Sequence, residues 1–192
     1  MKVKKSIGAI IVSLISVIFC GVFYGCGGSE SSGENGYKTG NTVSNFTLTE
    51  YFDEENGTYK LQDDLDENRV VVLYFWYIGC SPCEEDIPEL GGLAEQYSDK
   101  LSVVIAHSSE INASSIDMLE TYVKDTKNWS FYSLDNVHFT LDNSGGKSVY
   151  DKFGGDNVYP TVAVIDGNGT LRFSYSSVLT DGFYTDLQTL LR

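Results

Sequence analysis

This sequence predicts a layered α/β domain, a mixed sheet covered by helices, on three observations. The run R-V-V-V-L-Y-F-W at 69–76 is unbroken and β-prone, as a strand buried on both faces must be. Helical-period segments alternate with such runs, strand then helix then strand then helix. Near the C-terminus, two apolar runs are joined by G-N-G-T, the pattern of an antiparallel hairpin.

The elements follow in order. N-F-T-L-T-E-Y-F at 45–52 and T-Y-K-L at 58–61 flank Asn56-Gly57 and predict an N-terminal hairpin. Q-D-D-L-D-E-N reads as a small polar turn or helical piece before the buried strand. From Pro82 to Tyr97 the apolar residues Ile87, Leu90, Leu93, Ala94 and Tyr97 recur at helical spacing. Proline at the start of this helix sacrifices no backbone bond, whereas Pro88 in its interior removes one and is expected to bend it. L-S-V-V-I-A-H predicts the next strand. It is followed by a Ser/Asn-rich cap region and a helix over 115–124, with Met118, Leu119, Tyr122 and Val123 as its apolar face. V-H-F-T-L-D reads as a shorter strand, and Asn143-Ser144-Gly145-Gly146 breaks the chain before a short helix S-V-Y-D-K-F. V-Y-P-T-V-A-V-I-D and L-R-F-S-Y form the C-terminal hairpin, and D-G-F-Y-T-D-L-Q-T-L-L closes the domain as a helix. There is no internal repeat.

The N-terminus carries an address. M-K-V-K-K is basic and Ile7 to Val22 is strongly apolar, the n-region and h-region of a secretory signal, with an uncleaved membrane anchor as the alternative. The following C-G-G-S-E-S-S-G-E-N-G is polar and glycine-rich and reads as a tether. The join at Gly25-Cys26 resembles the lipobox of bacterial lipoproteins, in which a signal peptidase cuts before a cysteine that becomes lipid-modified. The expected organisation is therefore a signal peptide over 1–25, a tether over 26–39 beginning at a lipidated Cys26, and one domain over 40–192. Either reading of the first segment puts the domain outside the cytoplasm.

The 192 residues hold 13 basic and 27 acidic side chains, a formal charge of −14. Loss of Lys2, Lys4 and Lys5 with the signal deepens it to −17. Such a surface argues against binding nucleic acid or lying electrostatically on anionic lipid.

Cysteine usage points to chemistry. Cys20 falls in the signal and Cys26 is the lipidation candidate, which leaves Cys80 and Cys83 as the only pair in the domain. A disulfide this short removes little unfolded-chain entropy, so bracing is a poor reason for it. Cys80 stands where the buried strand gives way to the helix, and Cys83 falls in the first helical turn. The unpaired amides and positive end of the helix favour a thiolate at Cys80, which makes it the attacking sulfur and Cys83 the buried resolving sulfur. Zinc is the competing use of C-x-x-C. It needs further ligands, and His107 and His138 are separated and read as a strand-end residue and a loop or edge-strand residue. No nicotinamide or flavin motif is present, and the exchange reaction needs no cofactor.

F-W ahead of the turn, C-S-P-C, D-I-P, Y-P-T and V-I-D-G-N-G-T-L together resemble the TlpA/ResA-like branch of thioredoxin-fold proteins, over nearly the whole of 40–192. The resemblance implies a thioredoxin fold and a membrane-attached thiol–disulfide oxidoreductase. Such a protein reduces disulfides in other extracytoplasmic proteins, in some relatives during cytochrome c maturation, and a membrane thiol–disulfide relay protein re-reduces it. It implies a cis Pro160 beside the dithiol, with the backbone of Thr161 offered to an incoming segment. At Asp86 it implies an acid, commonly glutamate, that handles the proton of the buried cysteine; the alternative is an ordinary solvent-facing acid. It further implies partner docking around Gly79, Ser81, Pro82 and Tyr159, with Trp76 counted among them and core packing as its alternative. Gly79 stands where these proteins often carry tryptophan, which opens the docking face. Glu84 and Glu85 are expected to oppose thiolate formation at Cys80, weakly where exposed. Two other functions stay open: a peroxiredoxin-like peroxidase, whose P-x-x-x-T-x-x-C arrangement this site lacks, and a redox-inert lipoprotein that presents the same surface to partners.

Overall fold

The computed structural model describes residues 36–52, 57–108, 116–142, 149–154 and 158–192. The expected signal, Cys26, most of the tether, Asn56, the cap region at 109–115 and the Asn143–Gly146 break lie outside them. Among the described residues no helix is long and apolar enough to cross a membrane.

Among the described residues seven strands form one mixed sheet, the thioredoxin-like α/β architecture. β1 (Thr47–Glu50) and β2 (Thr58–Lys60) make the N-terminal hairpin. β3 (Val70–Trp76), β4 (Leu101–His107) and β5 (Val137–Leu141) run parallel to one another. β6 (Thr161–Ile165) and β7 (Leu171–Tyr175) are the C-terminal hairpin, and β6 lies antiparallel to β3. The order β2-β1-β5-β4-β3-β6-β7 puts β3 well inside the sheet.

All seven residues of β3 are buried because both faces of the sheet are covered. Val70, Val72, Tyr74 and Trp76 point into a core shared with α2 (Ser81–Gln96), Leu119 of α3 (Ile116–Thr121) and α5 (Asp181–Leu190). Val71, Leu73 and Phe75 point into the opposite core with Phe46, Leu61 of α1 (Leu61–Asp66) and Val149 and Tyr150 of α4 (Val149–Lys152). The segment Q-D-D-L-D-E-N resolves as the body and end of α1. That helix stops in a Schellman motif: Asn68 sits at φ 56°, its amide donates to the Leu65 carbonyl, and the Arg69 amide donates to Asp64. The chain then enters β3.

Four expectations change. α3 passes at Tyr122 into a π-helical turn, Tyr122–Thr126, closed by the Lys127 amide on the Tyr122 carbonyl, and a 3₁₀ turn follows at Ser130–Ser133. Met118 is 46% exposed rather than part of the buried face, because α3 turns only Leu119, and then Val123, fully inward. His138 belongs to an interior strand, since the N-terminal hairpin pairs outside β5. Contacts with the domain begin before residue 40: the Tyr37 amide donates to the Lys152 carbonyl at 2.7 Å and its ring meets Phe153.

Candidate active site

The site forms at the C-terminal end of β3. After Trp76 the chain turns through Tyr77, Ile78 and Gly79, with the Cys80 amide donating to the Tyr77 carbonyl at 3.1 Å. Gly79 has φ +94°, a conformation that disfavours any side chain, although a Cβ there would meet nothing within 4 Å. Glycine here thus serves the turn itself. Cys80 then caps α2, which begins Ser81-Pro82 and places Cys83 in its first turn. Pro82 occupies one of the positions whose amide has no partner within the helix, so the missing N–H removes nothing.

Cys80 and Cys83 are joined by a disulfide, with Cα atoms 5.3 Å apart. Both cysteines are buried, Cys80 with 3% exposure and Cys83 with none, so Cys80 is the less enclosed of the two. The helix N-terminus beneath them favours an anion there once the bond is reduced.

Asp86 is buried, which removes the solvent-facing alternative. The Tyr74 hydroxyl donates to its carboxylate at 2.8 Å, and the Leu179 amide donates to the same oxygen at 3.2 Å. Burial nevertheless pushes the Asp86 carboxyl above the ordinary carboxylate range, and that loss of hydration outweighs both donors. Tyr74 is driven upward by its own burial and by the carboxylate beside it.

Glu84 is tied down. Its carboxylate accepts from the Gly79 amide at 3.2 Å, from the Tyr122 hydroxyl and from the Lys127 ammonium. Burial alone would raise its carboxyl, but these donors hold it below the ordinary range. The expected repulsion of a Cys80 thiolate by Glu84 is therefore opposed by a neighbouring cation, while Glu85 is exposed.

The Tyr159–Pro160 peptide is cis, and Pro160 is buried. Tyr159 is half-buried, its ring stacked on Tyr150 at 4.8 Å and edge-on to Tyr77 at 5.1 Å, and its hydroxyl donates to the Ser108 carbonyl. Ser81 is exposed and Pro82 partly so. Two docking residues are corrected. Trp76 is wholly enclosed, packed against His107, Tyr122 and Trp129, and has no surface to offer. Thr161 is likewise enclosed, its hydroxyl donating to the Val158 carbonyl at 2.7 Å, so the accessible chain beside Pro160 is Val158 and Tyr159.

Sequence reasoning did not find Tyr74, Lys127 or the Leu179 amide, and it assigned Tyr122 to the apolar face of α3. Only a helical i, i+3 or i, i+4 spacing would have flagged such partners, and Lys127 lies 43 residues from Glu84. His107 is a buried strand-end residue with both ring nitrogens lacking a hydrogen-bond partner, and Trp76 Nε1 lacks one as well. His138 Nδ1 meets Glu50 Oε1 at 2.6 Å, away from the dithiol on the hairpin side of the sheet.

A thioredoxin-like sheet with a vicinal cysteine pair at a helix N-terminus beside a cis-proline loop defines a thiol–disulfide oxidoreductase. The AhpC/TSA family profile matches residues 39–174, and the chain belongs to that family. Thioredoxin-like protein YneN of Bacillus subtilis is 28% identical over 153 residues, 78% of each chain. Among solved structures, the exposed lipoprotein thioredoxin Etrx1 from Streptococcus pneumoniae superposes with a TM-score of 0.55 at 26% identity, over 77% of this chain and 98% of that one. A thiol-disulfide oxidoreductase from Bacteroides fragilis shares the fold with a TM-score of 0.59 at 18% identity, over 78% of this chain and 99% of that one.

Proposed function

We propose that this protein is an extracytoplasmic lipoprotein, anchored through Cys26 after removal of residues 1–25, that reduces disulfides in other proteins outside the cytoplasm. The observation that carries this reading is the Cys80–Cys83 pair at the start of α2, with Cys80 the less enclosed of the two. The basic and apolar N-terminus supports the location, as does the description of Etrx1 as an exposed lipoprotein.

In the reduced protein the Cys80 thiolate attacks one sulfur of a partner disulfide, and the partner's other sulfur leaves as a thiolate and takes up a proton. Cys83, deprotonated in turn, attacks the Cys80 sulfur of the mixed disulfide. The second partner sulfur departs and is protonated, and the Cys80–Cys83 disulfide remains. Two electrons have passed to the partner, and a membrane dithiol protein returns them. Asp86, buried one helical turn from Cys83, accepts the resolving thiol's proton. The accessible backbone of Val158 and Tyr159 beside Pro160, with Gly79, Ser81 and Pro82 opposite, receives the partner segment. Assembly of cytochrome c, whose haem attachment requires reduced cysteines, is a fitting destination for the electrons.

The test is a Cys83→Ser protein expressed in cells and recovered from the membrane fraction. Mixed disulfides through Cys80 should accumulate with cysteine-containing extracytoplasmic proteins and with a membrane dithiol donor. A wild-type pool held almost wholly oxidised, with no donor among the adducts, would sink the reductase direction. Absence of any Cys80 adduct would leave a redox-inert binding role, and peroxide turnover without adducts would leave the peroxidase.

A further inference from the structure

Glu84 is placed where a bare carboxylate does harm. It lies one residue beyond Cys83 in the first turn of α2, and its Oε1 reaches back to the Gly79 amide next to Cys80. An unpaired negative charge there works against the helix N-terminus and raises the cost of a Cys80 thiolate. The fold answers it from another element. In a regular α-helix, residues five apart point roughly 140° away from each other, yet Tyr122 and Lys127 both reach Glu84. The extra residue of the π-helical turn makes this convergence possible, and the Lys127 ammonium also stands 5.4 Å from the centre of the Tyr122 ring. Such turns are rare and concentrate at functional sites.

We infer that Glu84 and Lys127 form a positioning and charge-balancing clamp for Cys80: Glu84 latches the Gly79 turn, and Lys127 cancels the charge that the latch brings to the attacking sulfur. The clamp rests on the reading of Cys80 as the attacking thiol and adds to it two positioning residues, neither of which touches a substrate. The other ionisable groups around the dithiol are accounted for separately. Glu85 on α2 is exposed, Asp86 is held by Tyr74 and Leu179, and the turn and the Pro160 loop contribute the phenols of Tyr77 and Tyr159.

A clamp of this kind has a signature that a merely structural contact lacks, because its two halves act on Cys80 with opposite sign. The measurement is the pH profile of Cys80 alkylation in the full-length Cys83→Ser protein, read by mass spectrometry of the peptide that carries Cys80. Lys127→Met leaves the carboxylate unbalanced and should move the profile up by about one pH unit, roughly a tenfold slower reaction at neutral pH. Glu84→Gln keeps an acceptor for the Gly79 amide but leaves Lys127 unbalanced, and should move the profile down by a similar amount. The double variant should return close to the parent, and Lys127→Arg should remain there. Shifts of the same sign in both single variants, or no shift in either, would overturn the clamp. Alkylation requires no partner protein, so opposed shifts without cellular adducts would count against the proposed function alone, and adducts without shifts against the clamp alone.

Discussion

Asp86 is a side chain that is expensive to the fold and to which the proposed mechanism gives a proton to carry. Its carboxylate is buried against α5's approach, where a phenol and one backbone amide donate to it in place of water, and burial keeps its proton affinity high. An acid whose folded value lies above its unfolded one weakens the fold at neutral pH and recovers stability as pH falls through the folded value. Asp86→Asn keeps an acceptor for Tyr74 and Leu179 while removing the charge. Its unfolding midpoint in urea at neutral pH should equal or exceed that of the wild type. Disulfide exchange by the same variant should slow by about a hundredfold, the lower end of what a positioned acid–base group contributes. A variant that is less stable at neutral pH but fully active would contradict both parts.

The element that organises the site is α2, and its glycines separate helix propensity from packing. Gly91 is buried against the 3₁₀ turn, and a Cβ on it would stand 2.5 Å from Phe131 Cγ, at the root of the ring where little movement is available. Gly92, its neighbour, is exposed with nothing within 4 Å. Alanine gains about 1 kcal/mol over glycine in a helix interior. Gly92→Ala should therefore raise stability by roughly that amount, whereas Gly91→Ala should lower it by roughly 1–2 kcal/mol, since overpacking outweighs propensity. Denaturant titration of the two variants side by side gives the sign. The same helix continues through Pro88 without interruption from Ser81 to Gln96, so the proline does not break it.

For the molecule as a whole, the exposed acidic surface is less telling than one buried base. His107 ends β4 fully enclosed beside Trp76, and burial pushes its imidazole down to about 4 from an ordinary value near 6.5. The unfolded chain protonates this residue below about pH 6.5 while the folded chain refuses the proton until about 4. Its full stability is thus present above 6.5 and is lost as pH falls toward 4. Between pH 7 and pH 5 this amounts to roughly 2 kcal/mol of global stability. A His107→Leu protein should lose that much less than the wild type over the same interval, measured by chemical denaturation at the two pH values. Groups common to both proteins, Asp86 included, cancel in the comparison.

The strands, the long helix, the cysteine pair and the two hairpins are legible in the chain because each is written in local terms: alternation or continuity of apolar residues, a proline at a helix start, glycine at turns. The proposed order of attacker and resolver rests on the same kind of local cue, the position of each sulfur at the strand-to-helix junction. Asp86 was ambiguous because a charged residue in E-E-D reads alike whether it faces water or Tyr74. Trp76 and Thr161 were offered to a partner because adjacency to a site in sequence says nothing about which face of the sheet covers them. The Glu84–Lys127 contact had no local signature at all. Periodicity and turn chemistry act over a few residues and so can be read from one chain segment; burial, pairing of charges and the acidity of a thiol depend on what a distant segment brings within hydrogen-bond reach, and only the folded sheet and its helices bring it there.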